Sequence, residues 1–404
     1  MSSRRGLAAY LSDRLVGTLG IQVQSVAVGW QVYSTTGDPI DLGWVGLAQF
    51  LPLALLSPYG GGIADRFDRR RILLVCRVLY ALGALCLAGL SRHPEWGVGP
   101  IYGVLAGLGA LRAFASPASV AMLPSLVDAS RLSRAIAMSS TTFQVGTIAG
   151  PALGGLLYAL GGATVAYLVS AALGLGAAVA LSVMPYRALP REAPPERGWA
   201  LLSSGVRYVF RERVLLGAIS LDLFAVLLGG AVALLPVIAQ EVLHVGEVEF
   251  GLLRAAPALG AAVVAIVLSV RPMKRHAGRW MFAGVAVFGV ATVVFGLSTN
   301  LWLSLAALAV TGAADMISVV VRQSLVQLRT PDAWRGRVAS VNMVFIGASN
   351  ELGELESGLT AAWLGTVRAV VLGGIGTLLV TGVYAALFPE IRDVDRLEDE
   401  AVEA

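Results

Sequence analysis

The sequence is poor in charged residues and almost without cysteine. Only 14% of its 404 residues are Asp, Glu, Lys or Arg, whereas about a quarter of the residues in soluble domains are charged. Hydrophobic residues make up 56% of the chain. This composition excludes an ordinary soluble domain and is typical of a protein with many membrane-spanning helices.

Several kinds of chemistry are missing as well. Cys76 and Cys86 lie ten residues apart on one predicted helix, too far for a disulfide. The three histidines, His93, His244 and His276, have no partners at ligand spacing, so we predict no metal site. The sequence has no Walker loop and no nucleophile–base constellation. We therefore expect neither enzymatic activity nor a cofactor, and no nucleic-acid partner, because the basic residues lie between apolar segments.

Apolar segments long enough to cross a membrane recur along the whole chain. They span residues 12–34, 42–63, 72–91, 99–122, 137–160, 163–184, 214–239, 249–270, 280–298, 301–322, 339–362 and 367–388. We therefore predict an all-α polytopic membrane protein with twelve transmembrane helices.

The arginines between these segments fall mostly on one side. That side holds Arg66 to Arg71, Arg131, Arg134, Arg187 to Arg213, Arg271 to Arg279 and Arg329 to Arg337. Arg92 and Arg368 fall on the other side. Short cytoplasmic loops are enriched in Lys and Arg. Both termini of this multi-pass protein are therefore predicted to be cytoplasmic.

The two halves of the chain look like repeats of each other. Pro52 has a counterpart in Pro257 at an offset that stays nearly constant along the chain. Other matched pairs are Gly109 with Gly312, Arg134 with Arg337, Gly150 with Gly353 and Gly155 with Gly358. Such repeats indicate two pseudo-symmetric six-helix bundles with a substrate site between them near the middle of the membrane.

This pattern divides the chain into four parts. We predict an N-terminal bundle over 1–184, a cytoplasmic linker over 185–213 and a C-terminal bundle over 214–388. The linker is expected to contain an amphipathic segment near Trp199 to Val209. The remaining tail, 389–404, is acidic and is predicted to be disordered.

Seven of the charged residues inside the predicted membrane segments lie in apolar surroundings. They are Arg112, Asp222, Arg254, Asp315, Glu351, Glu354 and Glu356. A charge at the centre of a membrane helix costs about 2.5–3.5 kcal/mol, so these residues must pair, bind protons or face a water-filled cavity. We predict that Arg112, Asp222, Asp315, Glu351 and Glu354 contain the proton-coupling residues. The alternative is a structural polar network that holds the helices together.

The first helix has a polar face. Its members are Asp13, Gly17, Gly20, Gln24 and Gln31, which return to nearly the same direction on a helix. Gln24 and Gln31 are predicted to bond a substrate in a cavity, with Trp30 and Asn350 as further lining candidates. The alternative for the glutamines is hydrogen bonding between helices, and for Trp30 it is an interfacial anchor. Asp13 lies near the cytoplasmic end and is predicted to belong to a gate.

Two segments suggest mechanical roles. The charged stretch from Gly61 to Arg71 must be a tight loop between membrane helices, and Asp65 at its start can accept hydrogen bonds from a helix N-terminus. In the fifth predicted helix, small residues offer a smooth surface for close helix packing, and a proline can bend the helix. These residues are Gly146, Gly150, Pro151, Gly154 and Gly155.

These motifs together resemble those of the major facilitator superfamily over essentially the whole chain. The loop from Gly61 to Arg71 resembles the signature loop of that superfamily, with Asp68 where the family usually has glycine. Arg112 matches a family arginine that is often tied to proton coupling, and the glycine-rich segment matches a motif of antiporter-type exporters. The most similar group is that of the bacterial enterobactin exporters. Its similar stretches are Val28 to Tyr33, Arg112 to Pro117, Arg335 to Val338 and Asn350 to Glu354.

The resemblance implies roles for these motifs. Arg66 and Arg70 would pair with carboxylates on adjacent helices, with Gly61 and Asp65, as a latch that closes the cytoplasmic side. The glycine-rich segment would lie against the other half of the protein. The expected function is export of a small drug-like or siderophore-like molecule by proton antiport with alternating access, by a monomer in the lipid bilayer of a bacterial inner membrane. Alternatives are an importer or uniporter of a polar solute or metal ion, and a non-transporting sensor or scaffold.

Overall fold

The computed structural model describes residues 4–186, 199–271, 273 and 275–395. Most of these residues are helical, and none of them forms a β-strand. The helices of the first half are α1 (Arg4–Thr36), α2 (Pro39–Arg66), α3 (Arg69–Leu90), a 3-10 helix (Pro94–Trp96), α4 (Gly99–Leu126) and α5 (Ala129–Ser182). The all-α membrane fold predicted from the sequence is confirmed.

The second half begins with α6, on the segment predicted to be amphipathic. Its elements are α6 (Trp199–Arg211), α7 (Arg213–Leu228), a 3-10 helix (Ala231–Leu234), α8 (Leu235–Val237), a π-helix (Ile238–Val242), α9 (Glu247–Val270), α10 (Ala277–Leu297), α11 (Leu301–Leu328), α12 (Asp332–Leu364), α13 (Thr366–Leu387) and α14 (Pro389–Arg392). Residues 187–198 of the predicted linker and 396–404 of the predicted tail lie outside the described residues.

Helix α5 contains a sharp kink. Gly161 and Gly162 leave the helical conformation, and Gly162 has a φ of +68°, which favours glycine because it lacks a Cβ. The kink falls in the short gap between the predicted segments 137–160 and 163–184, so the predicted break is confirmed there.

Nine segments among the described residues are long and apolar enough to cross a membrane. Helices α1 and α12 are not among these nine segments, although each has 33 residues. The count of twelve therefore stays a prediction. Large apolar side chains such as Leu160, Val270 and Trp363 are exposed along the helices. Such surfaces are rare in water but suit contact with lipid.

The chain forms two compact units. Unit 1 contains Met1–Gly37, Ala48–Trp199 and Val245–Ala255. Unit 2 contains Asp38–Leu47, Ala200–His244 and Ala256–Ala404. Helix α2 therefore begins in unit 2 and continues in unit 1, and helix α9 begins in unit 1 and continues in unit 2. The predicted bundle limits, 1–184 and 214–388, stay a prediction.

Each unit has its own packing. In unit 1, α1 packs along α5, and α3 packs on α4 and α5. In unit 2, α10 packs on α11 and α13, and α7 packs on α12 and α13. A buried apolar cluster in unit 2 includes Leu221, Met281, Leu325 and Ile391. It fixes the rotation of α7 and α11, the helices that carry the charged groups described next.

Candidate functional site

A cluster of charged and polar side chains lies where α7, α11 and α12 of unit 2 meet. Arg322 Nη2 lies 3.2 Å from Asp222 Oδ2. Arg322 Nη1 donates a hydrogen bond of 3.0 Å to Asn342 Oδ1. Arg322 is 2% exposed and Asp222 5% exposed. A buried guanidinium with a carboxylate and an amide partner fixes three helices at one point.

Asp315 adds a second carboxylate to this cluster. It lies on α11 two helical turns before Arg322. Its carboxylate interacts electrostatically with Asp222 and Arg322. It is only partly buried. With both carboxylates ionised, the three groups carry one net negative charge. The predicted coupling candidates Asp222 and Asp315 are thus brought together.

Sequence reasoning did not single out Arg322. It was placed at the last position of the predicted segment 301–322, where an arginine is unremarkable. In the structure α11 continues to Leu328, so Arg322 lies well inside the helix. The seven-residue spacing from Asp315, which keeps both side chains on one face of a helix, is the signal that could have revealed it.

A small cavity adjoins the cluster. It is lined by Asp222, Ala225, Val226, Val285, Phe288, Asp315 and Ser318. Its size suits about one water molecule. Ser318 is 1% exposed, and its hydroxyl has no hydrogen-bond partner among the described residues.

Unit 1 contains a buried ion pair of a different kind. Arg77 Nε donates to Asp13 Oδ1 at 2.7 Å, and Arg77 Nη2 donates to Asp13 Oδ2 at 3.3 Å. Asp13 is 1% exposed. Both oxygens of the carboxylate are thus held by one guanidinium, which is a strong, charge-balanced arrangement. Asp13, predicted as a gate residue, therefore joins α1 to α3 within unit 1.

Arg77 was also missed from the sequence, although it lies inside the predicted segment 72–91. Its guanidinium lies over Gly17 of α1, where an added Cβ would come within 2.5 Å of the Arg77 Cζ. The glycine therefore leaves the space that the arginine occupies. A charged residue facing a glycine across two helices leaves no trace in the periodicity of either helix.

The predicted cavity residues of α1 lie in the packing of unit 1. Gln31 Oε1 accepts a hydrogen bond of 2.7 Å from the Tyr167 hydroxyl. Trp30 is 7% exposed, and its ring centre lies 5.2 Å from that of Phe250. Gln24 is 3% exposed, and its Oε1 has no hydrogen-bond partner among the described residues. Substrate contact by these residues stays a prediction.

The remaining intramembrane candidates are spread over α4 and α12. Arg112 is exposed on α4, and Glu351 is buried on α12. Asn350 is exposed, and its Nδ2 donates to the Ile346 carbonyl at 3.0 Å. Glu354 lies against Gly46 of α2, where an added Cβ would come within 2.6 Å of Glu354 Oε2. The structure does not bring these residues into the Asp222–Arg322 cluster, and their coupling role stays a prediction.

In the loop between α2 and α3, Asp68 caps α3. Its Oδ1 accepts a hydrogen bond of 3.1 Å from the Arg71 backbone N–H. Asp68 has a φ of −62°, which any residue adopts. Aspartate is a favoured N-cap residue, so its presence in place of the family's glycine is compatible with a well-formed loop.

The arginines of this loop bind main-chain carbonyls. Arg70 donates to the Leu181 carbonyl at 2.7 Å and also to the Ser182 carbonyl. These carbonyls lie at the end of α5, where the helix dipole favours a cation. This differs from the predicted pairing of Arg70 with a carboxylate. Gly61 has open space around it and Arg66 is exposed. The Asp65 side chain lies outside the described part of the chain, so the latch stays a prediction.

The glycine motif of α5 forms two close contacts within unit 1. An added Cβ would come within 2.9 Å of Thr18 at Gly146, 2.5 Å of Gln22 at Gly150 and 3.0 Å of Val26 at Gly154, all on α1. Gly155 lies against the first turns of α9, where an added Cβ would come within 3.0 Å of the Gly251 Cα. From the other side, a Cβ at Gly251 would meet the Pro151 carbonyl at 2.6 Å. The motif thus lets α5 approach two helices closely.

Comparison with known proteins places this architecture in a family. The profile of the family described as transmembrane secretion effector, within the major facilitator superfamily, matches residues 10–403. The chain belongs to this family. Membership makes the protein a multi-pass membrane transporter, and it places the chain in a class of transporters and not of enzymes.

Similar sequences are named as exporters. The chain is 28% identical over 392 residues to a protein of Citrobacter koseri named enterobactin exporter EntS. The matched region covers 96% of this chain and 91% of the relative. A protein of the same name from Shigella boydii is 27% identical over the same shares. The predicted resemblance to this group is confirmed.

Similar solved structures share the fold. A bacterial homologue of the lysosomal transporter Spinster matches with a TM-score of 0.75, at 15% identity, over 98% of both chains. The peptide-transporter-family protein PepTSo matches with a TM-score of 0.75, at 14% identity, over 97% of this chain and 99% of that one. At these identities the likeness concerns the fold alone.

Proposed function

We propose that this protein exports a small organic molecule across the bacterial inner membrane in exchange for protons, by alternating access of a substrate site to the two sides. Family membership over residues 10–403 and relatives that carry the name of enterobactin exporters support the export part. Cytoplasmic termini, as the arginine distribution predicts, belong to the same proposal.

One observation carries the proton part of the proposal: a second carboxylate, Asp315, lines the same small cavity as Asp222, whose charge Arg322 balances. Arg322 pairs with Asp222 at 3.2 Å, and Asp315 completes the cluster. An uncompensated negative charge in a low-dielectric interior is costly. Binding of one proton makes the cluster neutral, and release of that proton leaves the Asp222–Arg322 pair intact. The cluster therefore changes its charge without losing its helix contacts.

The proposed cargo is an amphipathic or catecholate-type compound, because the named relatives are enterobactin exporters. Gln24, Gln31, Trp30 and Asn350 remain the proposed substrate contacts. Asp315 is the proposed proton carrier, since it is partly accessible whereas Asp222 is held by Arg322.

The test uses full-length protein in liposomes that enclose a pH-sensitive dye, under an imposed proton gradient. Siderophores, lipophilic cations and antibiotics are added one at a time. The wild type is compared with Asp315→Asn and with a control, Glu356→Gln. The control removes another intramembrane carboxylate, one that accepts a hydrogen bond of 2.8 Å from Thr360 of its own helix.

We expect a ligand-dependent proton flux in the wild type and in Glu356→Gln, and its loss in Asp315→Asn. Unchanged flux in Asp315→Asn would move the coupling to another residue. Ligand movement without any proton flux would instead indicate a uniporter.

A further inference from the structure

The cavity beside the charge cluster is lined by a hydroxyl group that has no hydrogen-bond partner among the described residues. Ser318 lines the cavity and is 1% exposed, and its hydroxyl has no partner among the described residues. Other serines of the membrane helices, such as Ser324 and Ser349, donate to a carbonyl of their own helix. A buried hydroxyl without a hydrogen-bond partner is destabilising. The cavity has room for about one water molecule, and its polar groups, Asp222, Asp315 and Ser318, stand among apolar lining residues.

The charge of the surroundings fixes the charge of that occupant. Arg322 directs Nη2 to Asp222 and Nη1 to Asn342. Asp222 and Arg322 are the charged groups that act on Asp315. The α10 side of the cavity is apolar, with Val285 and Phe288. From α13, Thr377 donates its hydroxyl to the Ala225 carbonyl at 3.1 Å. One net negative charge remains, and one monovalent cation neutralises it.

The size and chemistry of the cavity limit which cation can occupy it. There is room for about one water molecule. The polar lining atoms are carboxylate and hydroxyl oxygens, which favour hard cations. A divalent ion such as Ca²⁺ takes six to eight oxygen ligands and would leave the cluster with an excess positive charge.

We propose that this cavity binds a single monovalent cation no larger than a water molecule, Na⁺ or hydronium, between Asp222, Asp315 and the Ser318 hydroxyl. The site rests on the proposed function in one respect, because Asp315 is also the proposed proton carrier. It adds Ser318 as a cation ligand, and it predicts that Na⁺ competes with protons.

The test measures ²²Na⁺ binding and proton uptake by the full-length protein in nanodiscs, with thermal unfolding as the check that each variant is folded. NaCl is compared with choline chloride at equal ionic strength, at about pH 8 and about pH 5.5, where the proton concentrations differ several hundredfold. The variants are Asp315→Asn, Ser318→Ala and the control Ser324→Ala. The Ser324 hydroxyl donates at 2.8 Å to the Val320 carbonyl of its own helix, so the control removes a hydroxyl from the same helix outside the cavity.

We expect saturable Na⁺ binding at high pH that weakens at low pH and is lost in Asp315→Asn. Ser318→Ala should weaken it about tenfold or more, as expected for loss of one ligand to a charged group, and Ser324→Ala should leave it unchanged. If Na⁺ does not bind, proton uptake that depends on both Asp315 and Ser318 identifies hydronium as the occupant.

Absence of Na⁺ binding together with proton uptake that is unaffected by Ser318→Ala would overturn the site. Proton flux measured in liposomes distinguishes the proposal of antiport from the proposal of the cation site. Proton antiport that is independent of Na⁺ and of Ser318 would refute the cation site and leave antiport standing. Na⁺ binding without any coupled flux would refute antiport and leave the site standing.

Discussion

Each unit buries an aspartate against an arginine, but the two arrangements differ in charge balance. In unit 1, one guanidinium holds both oxygens of Asp13, and the pair is neutral. In unit 2, the guanidinium of Arg322 serves Asp222, and Asp315 leaves one charge in excess. A balanced buried pair has no reason to exchange ions and acts to join helices. An unbalanced cluster gains from binding a cation and is suited to release it again.

The two arrangements should differ most in stability when one carboxylate is neutralised in each unit. Asp13→Asn leaves Arg77, whose side chain is only 15% exposed, without its counter-ion, and arginine does not deprotonate in proteins. Loss of one partner of a buried pair costs about 3–5 kcal/mol in the free energy of unfolding. Asp315→Asn leaves Arg322 paired with Asp222, so we expect a change within about 1.5 kcal/mol. Denaturant titration of both variants in the same detergent measures the two effects.

An equal loss of stability in Asp13→Asn and Asp315→Asn would refute the distinction. Asp315 would then be as much a structural ion-pair partner as Asp13. Loss of ligand-dependent proton flux in Asp315→Asn without loss of stability would support the distinction, because Asp315 would then serve ion exchange and not helix packing.

A smaller effect is expected where Gly17 makes room for Arg77. An added Cβ would lie 2.5 Å from the Arg77 Cζ, so Gly17→Ala must shift the guanidinium away from Asp13. Overpacking of this kind costs about 1–3 kcal/mol. The control is Gly89→Ala on α3, where an added Cβ has open space. Thermal unfolding should show a lower melting temperature for Gly17→Ala only. Equal melting temperatures for the two variants would mean that Arg77 moves aside without loss of its pairing.

The sequence predicts one partner of each buried pair but not the other. Asp222 and Asp315 stand out as acids in apolar segments, and Asp13 stands out on a polar helix face. The arginines that pair with Asp222 and Asp13 come from other helices, and Arg77 lies 64 positions from Asp13 along the chain. Helical periodicity shows which residues share a face, but not how far each helix is rotated toward its neighbour. The pairing is therefore visible only in the packed structure.

Predictions from family resemblance and predictions from local sequence chemistry also agree with the structure to different extents. The resemblance directs attention to Arg112, which the structure places exposed on α4, and not to Arg322. The break at Gly161 and Gly162 falls in the predicted gap between two apolar segments, because such a gap is a local property of the sequence. The N-cap role of Asp68 was not predicted, although an aspartate just before a helix is a sufficient signal.

The smallest effect is expected at an exposed counterpart of these pairs, near the end of the described chain. Asp395 Oδ1 accepts a hydrogen bond of 2.9 Å from the His276 backbone N–H at the start of α10. Its other oxygen lies 3.4 Å from Arg275 Nε. The hydrogen bond from the His276 backbone lowers the pKa of the Asp395 carboxyl, and the nearby charges of His276 and Arg275 add to this.

Because the pKa of Asp395 is lowered in the folded protein, its contribution to stability is complete above the ordinary value of about 4 and disappears as the pH falls through the lower, folded value. Asp395→Asn should therefore lower the melting temperature slightly at pH 7, and the difference from wild type should vanish in acid. The control is Asp393→Asn, which removes a carboxylate that pairs with its neighbour Arg392. A difference that persists in acid would indicate that Asp395 acts through packing. Exposure to solvent screens the charges of this contact, so the same acid–base chemistry that fixes helices in unit 1 contributes little here.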